Sequence, residues 1–149
     1  MSRKKTQKIV REAYGRIARG QEGCGCAPST CGLDSREFAK LIGYSEEELQ
    51  VIPDKANLAL SCGNPIALAG LKEGEVVLDL GSGAGFDCFL AADRVGQKGK
   101  VIGVDITPEM IKKARANAKK YGFENVEFRL GEIENLPLHA FSIKYIENE

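Results

Sequence analysis

The sequence predicts an α/β protein, a three-layer α/β/α arrangement on a mostly parallel sheet, with a helical amino-terminal extension. Three observations carry that reading. From about residue 73, short apolar runs alternate with helical patterns in the order strand, helix, strand, helix, strand. Glycines 81, 83 and 85 stand where the first run meets the first helical pattern. Residues 1 to about 72 lack this alternation and carry Cys24, Cys26, Cys31 and Cys62.

In order, the pattern from Thr6 to Arg19 is helical, with Ile9, Ala13 and Ile17 recurring on one face beside Val10 and Tyr14. Gly20 and Gly23 stop it. A short helix follows Asp34, with Phe38, Leu41 and Ile42 expected inward. Ser45 and Glu48 have capping-box spacing, and Pro53 limits that helix to about two turns. Asn64-Pro65 is a further helix start. Residues 75–80 form an apolar run ending in glycine, as a buried parallel strand does. Phe86 to Val95 is helical and Lys100 to Asp105 a second strand. Thr107-Pro108-Glu109 supplies a cap, a first-position proline and a first-turn acid. The helix it starts is expected to turn Met110, Ile111, Ala114, Ala118 and Tyr121 inward and to end at Gly122. Val126 to Leu130 alternates as a third strand.

At 149 residues the chain is long enough for one domain and its own core. It is 43% hydrophobic and 28% charged, the balance of a globular protein rather than a disordered one. Lys plus Arg number 21 and Asp plus Glu 21, so no basic surplus exists to hold nucleic-acid phosphates. The longest apolar stretch, Ile66 to Leu71, is far below the ~20 residues of a membrane span. The basic amino end is followed by no apolar run, so it does not read as a secretory signal. With the odd count of 5 cysteines, this predicts reduced thiols in the cytoplasm rather than a disulfide framework.

Gly81-Ser82-Gly83-Ala84-Gly85 lies between strand and helix, where backbone N–H groups at a helix amino end receive a ligand. The spacing is Gly-x-Gly-x-Gly, which departs from the dinucleotide fingerprint. Asp79, two residues ahead, suits an ammonium group better than a pyrophosphate. Asp105, followed by Ile106, ends the second strand, where an acid accepts from ribose hydroxyls. Gly131-Glu132-Ile133 follows the third strand at the same sheet edge. There Glu132 is a candidate acceptor for an adenine amino group, with Ile133 and Met110 closing over the ring. A nucleoside with an amino-acid tail fits this set, and S-adenosylmethionine is such a molecule.

The segment Val76 to Gly85 resembles the first motif of class I methyltransferases, and Asp105 matches their ribose-binding acid. The resemblance narrows over Asn57 to Pro65, Leu80 to Leu90, Asp105 to Met110 and Arg129 to Pro137. These segments are similar to the arsenite methyltransferase family. It implies a partial Rossmann-like class I methyltransferase fold and methyl transfer from S-adenosylmethionine to thiolate-bound trivalent arsenic. It also implies a thiol reductant and no metal beyond As(III). Trivalent arsenic is soft and is held by thiolates. Cys62 matches the family cysteine of the Cys-Gly-Asn-Pro segment. A second family thiol falls within Cys24, Cys26 and Cys31, which one staying open. Cys88 reads as a buried apolar residue. The competing readings are a non-catalytic module binding S-adenosylmethionine or metalloid, and a zinc cluster of Cys24, Cys26 and Cys31 with Cys62 or His139.

The resemblance divides the chain into a helical cysteine region 1–72, the first half of a methyltransferase domain 73–138, and a tail 139–149 unlike the family. It stops near Leu138, so the family's further strands and cysteines have no counterpart here. This reads as a truncation that puts activity in question. One side of the first strand is expected to be nearly bare, inviting self-association unless Ile143 to Ile146 adds a strand.

Overall fold

A parallel sheet organises the carboxyl-terminal part of the chain. Its strands are β1 (Val76–Leu80), β2 (Lys100–Asp105), β3 (Val126–Leu130) and β4 (Lys144–Glu147), in the order β3-β2-β1-β4. The structure, a computed structural model, describes residues 3–21, 34–58, 64, 70–136 and 144–147. The helix expected at Asn64-Pro65 runs into residues outside these.

The sheet's two faces follow from the period-two pleat. Val77 and Val101 point to one side and join the larger apolar cluster; Leu78, Leu80, Ile102 and Val104 point to the other and form a second. The flank of β1 is not bare: of the alternatives left open for it, the tail supplies the strand. β4 pairs parallel with β1, Val77 opposite Lys144 through Leu80 opposite Glu147, so β1 has a neighbour on each side.

Two helices connect the first three strands. α4 (Phe86–Val95) is buried along most of its length, including Cys88 and Phe89, and ends at Gly96 with φ 65°. The numbering α4 follows three helices of the amino-terminal region: α1 (Arg3–Ala18), α2 (Ser35–Leu41) and α3 (Glu46–Val51). α5 (Pro108–Tyr121) has proline in its first turn and ends at Gly122, whose φ of 73° suits a residue without Cβ. Met110, Ile111, Ala114 and Ala118 are buried as expected, and Asn117 joins them. Tyr121, the last residue of the helix, is not inward: it is 43% exposed. Thr107 makes no side-chain cap; its N–H instead donates to Asp105 Oδ1 at 2.7 Å.

The amino-terminal region packs on the same core. Two capping boxes start its short helices, Asp34 with Glu37 and Ser45 with Glu48. Tyr44, Leu49, Ile52 and Ala56 belong to one apolar cluster with Phe86, Phe89 and Val95 of α4. Tyr44 meets Phe86 edge-on, ring centroids 4.8 Å apart. Its hydroxyl donates to Asp87 Oδ1 at 2.6 Å. Leu41, expected inward, is 70% exposed, and Ala39 takes the buried position in that two-turn helix. α1 packs against α5 through Gly15, where an added Cβ would lie 3.1 Å from Glu109 Oε1. Arg19 pairs with Glu109, and Lys113 Nζ donates to Ala18 O. Ile9, Val10 and Tyr14 of α1 remain exposed. No helix among the described residues is long and apolar enough to cross a membrane.

Candidate cofactor site

The carboxyl ends of β1, β2 and β3 lie side by side, so the loops leaving them share one edge of the sheet. This edge of an open parallel sheet receives ligands. The loop after β1 is folded by its glycines: Gly81, Gly83 and Gly85 have φ of 82°, 52° and 94°. Gly81 N and Ser82 N both donate to Val104 O, at 2.8 and 3.1 Å, which ties the loop to β2. Gly85 admits no side chain, since a Cβ there would lie 2.6 Å from Phe128 Cζ. α4 begins at Phe86, so its first-turn amides open onto this loop. Asn117 of α5 donates to Ala84 O at 3.5 Å, a support that an asparagine on an otherwise apolar helix face could have signalled.

Asp105 organises the loop. Its Oδ2 accepts from Gly83 N at 2.9 Å and its Oδ1 from Thr107 N at 2.7 Å, while Gly131 N donates to Asp105 O at 3.0 Å. A carboxylate has about four acceptor sites, so two remain for hydroxyls. Ile106 beside it is partly buried. Glu132 accepts from Arg11 Nη2 of α1 at 2.9 Å, a contact with no local sequence signal. Ile133 is half exposed, whereas Met110 is fully buried and presents no open face. Ser82 Oγ is buried with no hydrogen-bond partner among the described residues.

Asp79 is fully buried and accepts from Cys88 Sγ at 3.1 Å. Burial foremost, then the charges of Asp87 and Asp105, push its carboxyl up to about 7, against the lowering effect of the thiol. Burial likewise pushes Asp87 up to about 6, while the Tyr44 hydroxyl acts the other way. The Cys88 thiol is raised by burial and by the Asp79 charge, so it stays protonated and remains a donor. Cys88 is buried, as expected of a small apolar residue, but it also makes this polar contact. The structure therefore brings Asp79, the loop 81–85, Asp105 and residues 131–133 to one edge. Cys24, Cys26, Cys31 and Cys62 lie outside the described residues.

Comparison with known proteins matches residues 71–146 to the methyltransferase-domain family. An arsenite methyltransferase of Halobacterium salinarum is 50% identical over 95% of this chain and 38% of its own length. An arsenite methyltransferase of Aquipseudomonas alcaligenes is 44% identical over 58% of this chain and 26% of its own. A solved SAM-dependent methyltransferase from Aquifex aeolicus is 33% identical, covering 71% of this chain and 51% of that one, with a TM-score of 0.48. The chain thus spans well under half the length of these curated relatives. With more than half of its residues under the family's model, the chain belongs to the methyltransferase-domain family, whose methyl donor is S-adenosylmethionine.

Proposed function

We propose that this chain binds S-adenosylmethionine along the edge formed by residues 79–85, 105–106 and 131–133. We further propose that it does so as the cofactor-binding part of an arsenite methyltransferase. The observation that carries the reading is the 50% identity to the Halobacterium salinarum protein along nearly the whole chain. The residues fit the donor. Gly83, where an added Cβ would meet nothing within 4 Å, lets a ligand approach the loop closely, and Asp105 keeps acceptor capacity for a ribose. Ser82 Oγ is a buried hydroxyl still lacking a partner among the described residues. Asp87 and Asp105 both lie within electrostatic reach of Asp79, a field of carboxylates that favours a cationic ligand.

Bound, the donor supplies an electrophilic methyl group. The chain's own part is positioning: Asp79 for the ammonium, Asp105 for the ribose, Glu132 for the adenine amino group once released from Arg11. Cys62 and at least one of Cys24, Cys26 and Cys31 hold trivalent arsenic as thiolates, the ligands a soft centre selects. Arsenic so bound keeps its lone pair, so no general base is required. A thiol reductant keeps these cysteines and the arsenic reduced.

Arsenite binding measured by equilibrium dialysis tests the substrate. Cys62→Ser should lower the arsenic bound per chain, with Cys88→Ser unchanged. The reverse pattern, or no arsenite bound by the folded wild-type chain, would refute the assignment.

A further inference from the structure

We propose that Cys88 is a positioning residue: its thiol, lodged in a slot opened by Gly103, orients the Asp79 carboxylate toward the cationic end of the ligand. This rests on the cofactor reading above. The slot is a property of the sheet. Asp79 and Gly103 are register partners on β1 and β2, so both project to the face covered by α4 and α5. Gly103 fills none of that space. A Cβ there would lie 2.7 Å from Phe128 Cδ1 and 2.8 Å from Cys88 Sγ, closer than real contacts allow. The missing side chain is thus the room that Phe128 and the thiol occupy, and the sulfur sits 3.1 Å from Asp79 Oδ2.

The chemistry follows from which group holds the proton. The Cys88 thiol stays protonated, so it donates and favours the ionised form of Asp79. An ionised Asp79 is the form that holds an ammonium. Asp87 on α4 and Asp105 at the end of β2 also act on Asp79, both carboxylates that oppose its ionisation. Asp87 in turn feels Glu48 of α3 and the Tyr44 hydroxyl. Cys88 is the group in this set that works toward the charged state of Asp79 by direct contact.

The test compares wild type with Cys88→Ala and Cys88→Val, which lack a donor, and Cys88→Ser, which keeps one. The first readout needs no ligand: the carbon resonance of the Asp79 carboxyl is followed against pH in the ¹³C-labelled chain. The no-donor variants should titrate at higher pH than wild type, and Cys88→Ser should return toward it. The second is calorimetric binding of S-adenosylhomocysteine from pH 5.5 to 8.5. Affinity near neutrality should fall about three- to tenfold without the donor and recover in Cys88→Ser. An Asp79 titration unmoved in both no-donor variants overturns the proposal whether or not ligand binds. Unmoved binding with a moved titration overturns its functional half. A folded wild type that binds no ligand refutes the cofactor reading instead, while the titration still decides the role of Cys88 in orienting Asp79.

Discussion

Replacing Asp79 by Asn should make the ligand-free chain more stable at pH 8, at the expense of cofactor binding. Asp79 is fully buried, and its carboxyl is raised from 3.8 to about 7. A raised acid means that the folded chain keeps its proton where the unfolded chain has lost it. Stability is therefore greatest below the unfolded value and falls as pH rises through the window from 3.8 to about 7. At 1.36 kcal/mol per pH unit, the full window corresponds to about 4 kcal/mol. Between pH 5 and 7 the wild type should lose about 2 kcal/mol from this group. Asn is nearly isosteric and carries no charge, so the variant should lack that slope. The assay is urea unfolding of both proteins at pH 5, 6, 7 and 8, read by far-ultraviolet circular dichroism. The expected result is a gap between variant and wild type that opens in favour of Asn as pH rises. A gap that is constant with pH would show that Asp79 does not titrate in this window. A gap that opens the other way would mean that its charge is stabilised by the fold.

Other substitutions probe the parts separately. Gly103→Ala should cost about 1–3 kcal/mol in urea unfolding, since its Cβ would press on Phe128 and Cys88, both buried, and a loss below about 0.5 kcal/mol would show a looser slot. Tyr44→Phe removes the donor 2.6 Å from Asp87 and should destabilise by about 1.5–3 kcal/mol at pH 8. The effect should shrink at pH 5, below the value of about 6 to which Asp87 is raised. An effect equal at both pH values would mean that the hydroxyl does not favour the charged form. Arg11→Ala frees Glu132 from an exposed pair, so stability should change by less than about 1 kcal/mol. Cofactor binding should be unchanged or up to about fivefold tighter, and markedly weaker binding would make Arg11 a ligand contact rather than a competitor.

The repeated unit was legible because each of its elements is bounded by punctuation. β3 and α4 begin and end against glycine or asparagine, β2 begins after Gly99, and Thr107-Pro108 and Gly122 bracket α5. The inward faces of the short helices were less legible. In α2 the choice between Leu41 and Ala39 is made by what the helix docks against, which seven residues do not encode. The same holds for Tyr121 in the last turn of α5. The tail strand was visible only as the short segment Ile143 to Ile146, interrupted by Lys144, since pairing with β1 is a long-range choice. At the site, Asp79, Asp105 and the loop were readable from their position after strands. Their partners were not. Cys88 reaches Asp79 because a helical position and a sheet register coincide beside Gly103, and Tyr44 reaches Asp87 across 43 positions of sequence.

The central claim is that the edge at residues 79–85, 105–106 and 131–133 is a cofactor site. Its most direct test is an amide ¹H–¹⁵N titration of the ¹⁵N-labelled chain with S-adenosylhomocysteine. The account predicts saturable shifts centred on Gly81 to Gly85, Asp105, Ile106 and Glu132. Residues 124–127, at the opposite ends of the strands, should remain still. A folded chain whose loop amides do not move, or one whose shifts gather at that opposite edge, would contradict it.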